Sequence, residues 1–120
     1  MSYESQIYIV RPQRGDMPGC CGLDFAEKIA IFRLGYVDRM YEFARCYPES
    51  SCYIYADDGD TEITTDRYGD RLREIPIREL LFQLDRYNSE HKRWDISAAI
   101  TALLHYSDSP GKLVALHYGY

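Results

Sequence analysis

The apolar positions of this chain fall into two rhythms. Ser5 to Arg11 (SQIYIVR) carries Ile7, Tyr8, Ile9 and Val10 in a row, and Pro12 closes the run. A short stretch rich in β-branched and aromatic residues, ended by a breaker, predicts a buried strand. Lys112 to Tyr118 (KLVALHY) has a similar apolar centre and predicts the last strand. These two segments are the most apolar strands, so they are expected near the middle of a sheet and paired with each other. Between Asp24 and Pro48 the rhythm changes. Phe25, Ile29, Phe32, Tyr36, Met40 and Phe43 recur at helical spacing, and Glu27 follows Asp24 at capping-box distance. This pattern predicts one long helix, interrupted at most by Gly35, which costs about 1 kcal/mol in a helix interior.

Cys52 to Ile75 alternates in the manner of a meander. CYIYA and TEITT flank Asp58-Gly59, a strong hairpin signal, and Tyr68-Gly69-Asp70 is a second turn before a short strand RLREI. Pro76 suits the first position of a helix, and Ile77, Leu80, Leu81, Leu84 and Tyr87 share one face after it. Asn88 to Arg93 is a polar connector. Asp95 caps a further helix lined by Ile96, Ala99, Ile100, Leu103 and Leu104. The predicted order is β-α-β-β-β-α-α-β. Consecutive strands in the middle favour an α+β fold, a mainly antiparallel sheet with helices on one face, over a doubly wound sheet.

Length narrows this picture only slightly. A chain of 120 residues fits one domain, residues 1–120, with no linker, repeat or low-complexity segment. The N-terminus lacks a basic region followed by an apolar one, and no apolar stretch reaches the ~20 residues that span a bilayer. A cytoplasmic protein without membrane contact is therefore expected. The formal charge of −5 argues against direct binding to nucleic acid, which needs a basic footprint.

The four cysteines are Cys20, Cys21, Cys46 and Cys52. In a reducing compartment they remain thiols. Cys20 and Cys21 stand in a loop of prolines and glycines, Pro12 to Gly22, and Cys46 and Cys52 flank Pro48. Structural zinc takes four soft ligands, commonly in two closely spaced pairs. One pair here is adjacent and the other is wider than a zinc knuckle, so one of His91, His105 and His117 could complete a site with three of the four cysteines. The plainer reading makes Cys46 a small core residue and leaves the chain without a cofactor. A nucleophilic Cys20 or Cys21 would need a cation beside it, and Arg11 and Arg14 could serve. There is no P-loop, GxGxxG, HExxH or GxSxG pattern.

Charge becomes informative only when it is mapped along the chain. Tyr47 to Asp66 contains Glu49, Asp57, Asp58, Asp60, Glu62 and Asp66 and no Lys or Arg, a local charge of −6 against −5 for the whole. The rest of the chain is thus close to neutral. Asp-Gly turns explain Asp58 and Asp60 but not six acids without a counter-charge. The spacing does not fit a calcium loop. Tyr53, Tyr55 and Tyr68 lie within or beside the same segment, and period two puts Tyr53 and Tyr55 on one strand face. Tyrosines among carboxylates suit docking onto Arg and Lys by stacking and ion pairing together. The expected partner-binding residues are therefore Asp57, Asp58, Asp60, Glu62, Asp66, Tyr53, Tyr55 and Tyr68. Arg67, Arg71, Arg73 and Arg78 alternate with acids and read as solvated faces and intrachain pairs.

In size, acidity and lack of catalytic motifs the chain resembles small acidic inhibitors carried by phages and mobile elements, of the anti-CRISPR type. The resemblance rests on the whole-chain charge and on segment 47–66, and no family motif carries it. It implies a non-enzymatic protein that occupies a basic surface of a nucleic-acid-handling effector complex. A small zinc-stabilised domain using Cys20, Cys21, Cys46 and Cys52, or a small cysteine-dependent enzyme, is the alternative. A strand edge left open by the meander would suit a homodimer.

Overall fold

A computed structural model describes residues 4–13, 23–35, 40–91, 94–106 and 113–119. The described elements are β1 (Ser5–Pro12), β2 (Asp24–Gly35), α1 (Met40–Arg45), β3 (Cys52–Tyr55), β4 (Glu62–Ile63), β5 (Arg73–Ile75), α2 (Ile77–His91), α3 (Trp94–Tyr106) and β6 (Val114–Gly119). The strands form one six-stranded sheet in the order β4-β3-β2-β1-β6-β5, so the fold is α+β. Neighbours are antiparallel except β2 and β3, which run parallel over Asp24 and Phe25.

β1 is central, as its apolar run predicts. It pairs with β2 on one edge and with β6 on the other, Ile9 facing Ala30 and Ala115 across the two ladders. Ile7, Ile9 and Val10 are fully buried. Complete burial of each such side chain contributes about 1.5–3 kcal/mol. Because successive side chains leave opposite faces of a strand, β1 feeds two cores. Ile7 and Ile9 belong to a cluster with Met40 and Ala44 of α1, Leu80 and Leu84 of α2, and Ile96 and Ile100 of α3. Tyr8 and Val10 belong to a second cluster with Ala26, Cys52, Ile54, Leu72 and Leu116, to which no helix contributes among the described residues.

The long helix expected from Asp24 is not formed. Asp24–Gly35 is a strand of twelve residues, and among the described residues of the predicted span only Met40–Arg45 is helical. The register explains why the pattern misleads. Ile9 pairs with Ala30 and Val10 with Lys28, so Ile29 is an extra residue; likewise Leu34 is extra between Arg33 and Gly35. Each bulge adds one residue to the alternation of a strand. Ile29 and Phe32, three apart, therefore both pack on the helix-side cluster, and strand positions take on helical spacing. The open edge of β1 gives this segment a ladder of long-range contacts that outweighs local propensity.

Two smaller corrections concern the second half. α2 runs through Asn88 to His91, where a connector is expected. The return strand TEITT shrinks to Glu62–Ile63, and RLREI to Arg73–Ile75 with an isolated bridge between Thr65 and Arg71. Pro76 stands at the start of α2, its carbonyl accepting from the Leu80 amide at 3.0 Å. Among the described residues no helix is long and apolar enough to cross a membrane.

Candidate functional site

The acidic segment forms a hairpin and a following turn. Ile54 pairs with Ile63 and Tyr55 with Glu62. At the tip, Gly59 has φ of 77°, a left-handed value that glycine adopts without strain. The Asp58 carboxylate accepts from the amides of Asp60 and Thr61, both at 2.9 Å, and from the Thr61 hydroxyl at 2.6 Å. Led by the Thr61 hydroxyl, these bonds hold its pKa down at about 2. Asp58 therefore builds the turn as well as carrying charge.

The structure sorts the predicted partner-binding residues into three groups. Asp66 is buried: it accepts from the amides of Tyr68 and Asp70 at 2.8 and 3.0 Å, and so shapes the second turn rather than facing a partner. Tyr53 is also buried, with its ring 5.6 Å from Tyr55 and 5.8 Å from Phe25. Tyr53 and Tyr55 share a strand face as period two requires, and that face is packed against Phe25, which lies 5.3 Å from Tyr55. These rings brace the hairpin against β2. Asp57, Asp58, Asp60, Glu62 and Tyr68 remain exposed.

The deficit of −6 is partly offset by residues distant in sequence. Lys28 of β2 reaches Asp57 at 3.5 Å, and Arg71 reaches Glu49 at 3.9 Å. Arg71 and Arg73 also donate to the carbonyls of Ser50 and Tyr47. Asp60 and Glu62 have no cation partner among the described residues, and Asp58 feels only the Lys28 ammonium, beyond ion-pair distance; all three lie within one exposed hairpin.

The thiols are separated in character. Cys52 is buried in the second core, and Cys46 is exposed with its Sγ 3.4 Å from the Glu42 carbonyl oxygen. Cys20 and Cys21 lie outside the described residues. Among the described residues no group of three or more His, Cys, Asp or Glu side chains is placed to hold a metal ion. His105 is exposed, whereas His117 is buried with Nε2 2.9 Å from the Ser5 hydroxyl, and burial pushes its pKa down to about 4.

Sequence reasoning missed a polar cleft of about 230 Å³ on the hairpin side of the sheet. Gln6, Tyr8 and Ile31 contribute to its wall, together with Arg33, Asp57 and Arg67. The Arg67 amide donates to the Gly119 carbonyl at 3.1 Å, which pins the second turn over the end of β6. No sequence spacing could reveal this cleft. Arg33 falls in the segment that reads as helix, and the turn that carries Arg67 meets it only through the strand order. A larger apolar groove of about 690 Å³ lies near Tyr47, Ile77, Leu81, Leu104 and Leu113.

Comparison of the chain with protein-family models, with curated proteins and with solved structures finds no match.

Proposed function

We propose that this protein is a non-enzymatic binding protein that sets its acidic hairpin against a basic surface of a partner protein. In the anti-CRISPR-type reading that partner is a nucleic-acid-handling effector complex, and the hairpin occupies a surface meant for a phosphate backbone. The observation that supports this most is the exposed trio Asp58, Asp60 and Glu62, none of them in an ion pair among the described residues, on a hairpin that is otherwise tied down. The Asp58 turn and the packing of Tyr53 and Tyr55 on Phe25 fix the hairpin before any partner arrives. Pre-ordered groups lose less conformational entropy on binding. Clustered like charge also speeds encounter with an oppositely charged surface.

The test leaves Asp58 in place, because it builds the turn. The wild-type protein and an Asp60→Lys/Glu62→Lys variant are immobilised and exposed to lysate of the source cells, and bound proteins are identified by mass spectrometry at low and high salt. The expected result is a basic partner held by the wild type at low salt, weakened at high salt, and lost from the variant, whose unfolding midpoint is unchanged. A partner held equally by both forms, or no basic partner that distinguishes them, overturns the reading.

A further inference from the structure

We propose that the cleft bearing Arg33 and Arg67 is a binding site for a small oxyanion, a phosphate or carboxylate group on a low-molecular-weight ligand. The proposal is independent of the hairpin reading. In a chain of net charge −5, two exposed arginines line one cleft, and neither has an ion-pair or hydrogen-bond partner for its side chain among the described residues. Exposed Arg78 of α2 also lacks a partner among the described residues, but it stands alone, whereas Arg33 and Arg67 share one cleft. Arg11, Arg45 and Arg71 each stand within 4.0 Å of a carboxylate, and Arg73 donates to a carbonyl.

The one acid on the cleft, Asp57, has Lys28 at 3.5 Å. Its charge is thereby offset, and the cleft retains the excess of both arginines. A guanidinium presents a rigid fork of donors that matches two oxygens of a carboxylate or phosphate. The wall adds a further donor. Gln6 is buried, and its side-chain oxygen accepts from the Tyr8 hydroxyl at 3.2 Å, which leaves its NH₂ to donate. The edge-on Tyr8–Tyr118 pair, centroids 5.9 Å apart, and half-exposed Ile31 supply an apolar side for the body of a ligand. A cleft of about 230 Å³ has room for an oxyanion with a small organic body.

The experiment titrates the full isotope-labelled chain with inorganic phosphate, adenosine monophosphate and citrate, with adenosine as the neutral control, up to about 10 mM. The readout is the side-chain Nε–H resonances of Arg33 and Arg67. The expected result is a saturable shift of both by at least one of the three anions and none by adenosine. Phosphate and the nucleotide acting without citrate identify a phosphate site, and citrate acting alone identifies a carboxylate site. Arg33→Gln and Arg67→Gln should each weaken binding by about tenfold, the loss of one charged fork. Asp57→Asn should tighten it, because an exposed acid is removed and Lys28 is released, an outcome that general damage to the fold would not produce. Asp60→Lys/Glu62→Lys should still bind, so failure of the hairpin reading is separable from failure of this one. No saturable shift by any of the three anions, or an affinity unchanged in the Arg33→Gln/Arg67→Gln double variant, overturns the proposal.

Discussion

The two sides of the sheet are built from the same central strand and are otherwise unlike. The helix side buries Ile7 and Ile9 under residues of all three helices, and its cluster is apolar throughout. The hairpin side buries Tyr8 and Val10 under a smaller group, then gives way within a few residues to Gln6, Arg33, Asp57 and Arg67. Regular structure is sparse at the hairpin itself, since β4 has two residues. Side-chain hydrogen bonds hold its turns instead, Asp58 at the hairpin tip and Asp66 at the next one. The difference teaches how a small domain divides its labour. A large apolar cluster on one side supplies stability, which leaves the other side free to carry charge that contributes little to folding.

Core truncation tests this division most severely. Ile9→Ala on the helix side should cost about 4 kcal/mol and Ile54→Ala on the hairpin side about 2 kcal/mol, within the 2–5 kcal/mol spread of such deletions, because the thinner side can relax into the gap. Urea unfolding measures both, and equal losses would break the comparison.

Acid should distinguish the buried polar pair from the exposed carboxylates. His117 titrates near pH 4 when folded against an ordinary value of 6.5, because burial disfavours its charged form. Between those values the unfolded chain binds a proton that the native chain refuses. Stability is therefore full above pH 6.5, falls as pH drops through the window, and ceases to change for this residue below pH 4. The total is about 3 kcal/mol at 1.36 kcal/mol per unit. In His117→Gln, denaturant midpoints measured across the window should lose most of that slope; a slope as steep as in the wild type would assign it elsewhere.

The turn of the hairpin side should show a smaller effect. Asp66→Ala leaves the amides of Tyr68 and Asp70 without their acceptor and should cost about 1–3 kcal/mol by thermal unfolding. Hydrogen exchange should speed up at those two amides before it does in β1. A variant as stable as the wild type would show that the turn does not depend on this side chain.

Much of the architecture could be read from single positions. The unbroken run Ile7 to Val10 marks a strand buried on both faces, and the shorter run near Leu116 marks its partner. Asp58-Gly59 and Tyr68-Gly69 mark turns whose glycines take φ of 77° and 85°. Asp24–Gly35 could not be read this way, because two bulges give a strand the spacing of a helix. The candidate site was legible only in part. The acidic segment stands out in the sequence, but burial removes Asp66 and Tyr53 from its surface and Lys28 offsets Asp57.

By itself, then, the sequence determined the α+β class, the central strands, the turns and the position of the acidic hairpin. Each of these follows from short-range patterns, hydrophobic runs and glycine or aspartate at a turn, whose physics involves near neighbours in the chain. Only the tertiary structure decided which acids keep their charge unopposed, which tyrosines are buried, and that Arg33 and Arg67 share one cleft. Those depend on ladder register and on which strand finds which edge. Register is set by the burial of whole faces, a property of the assembled sheet that no local window contains.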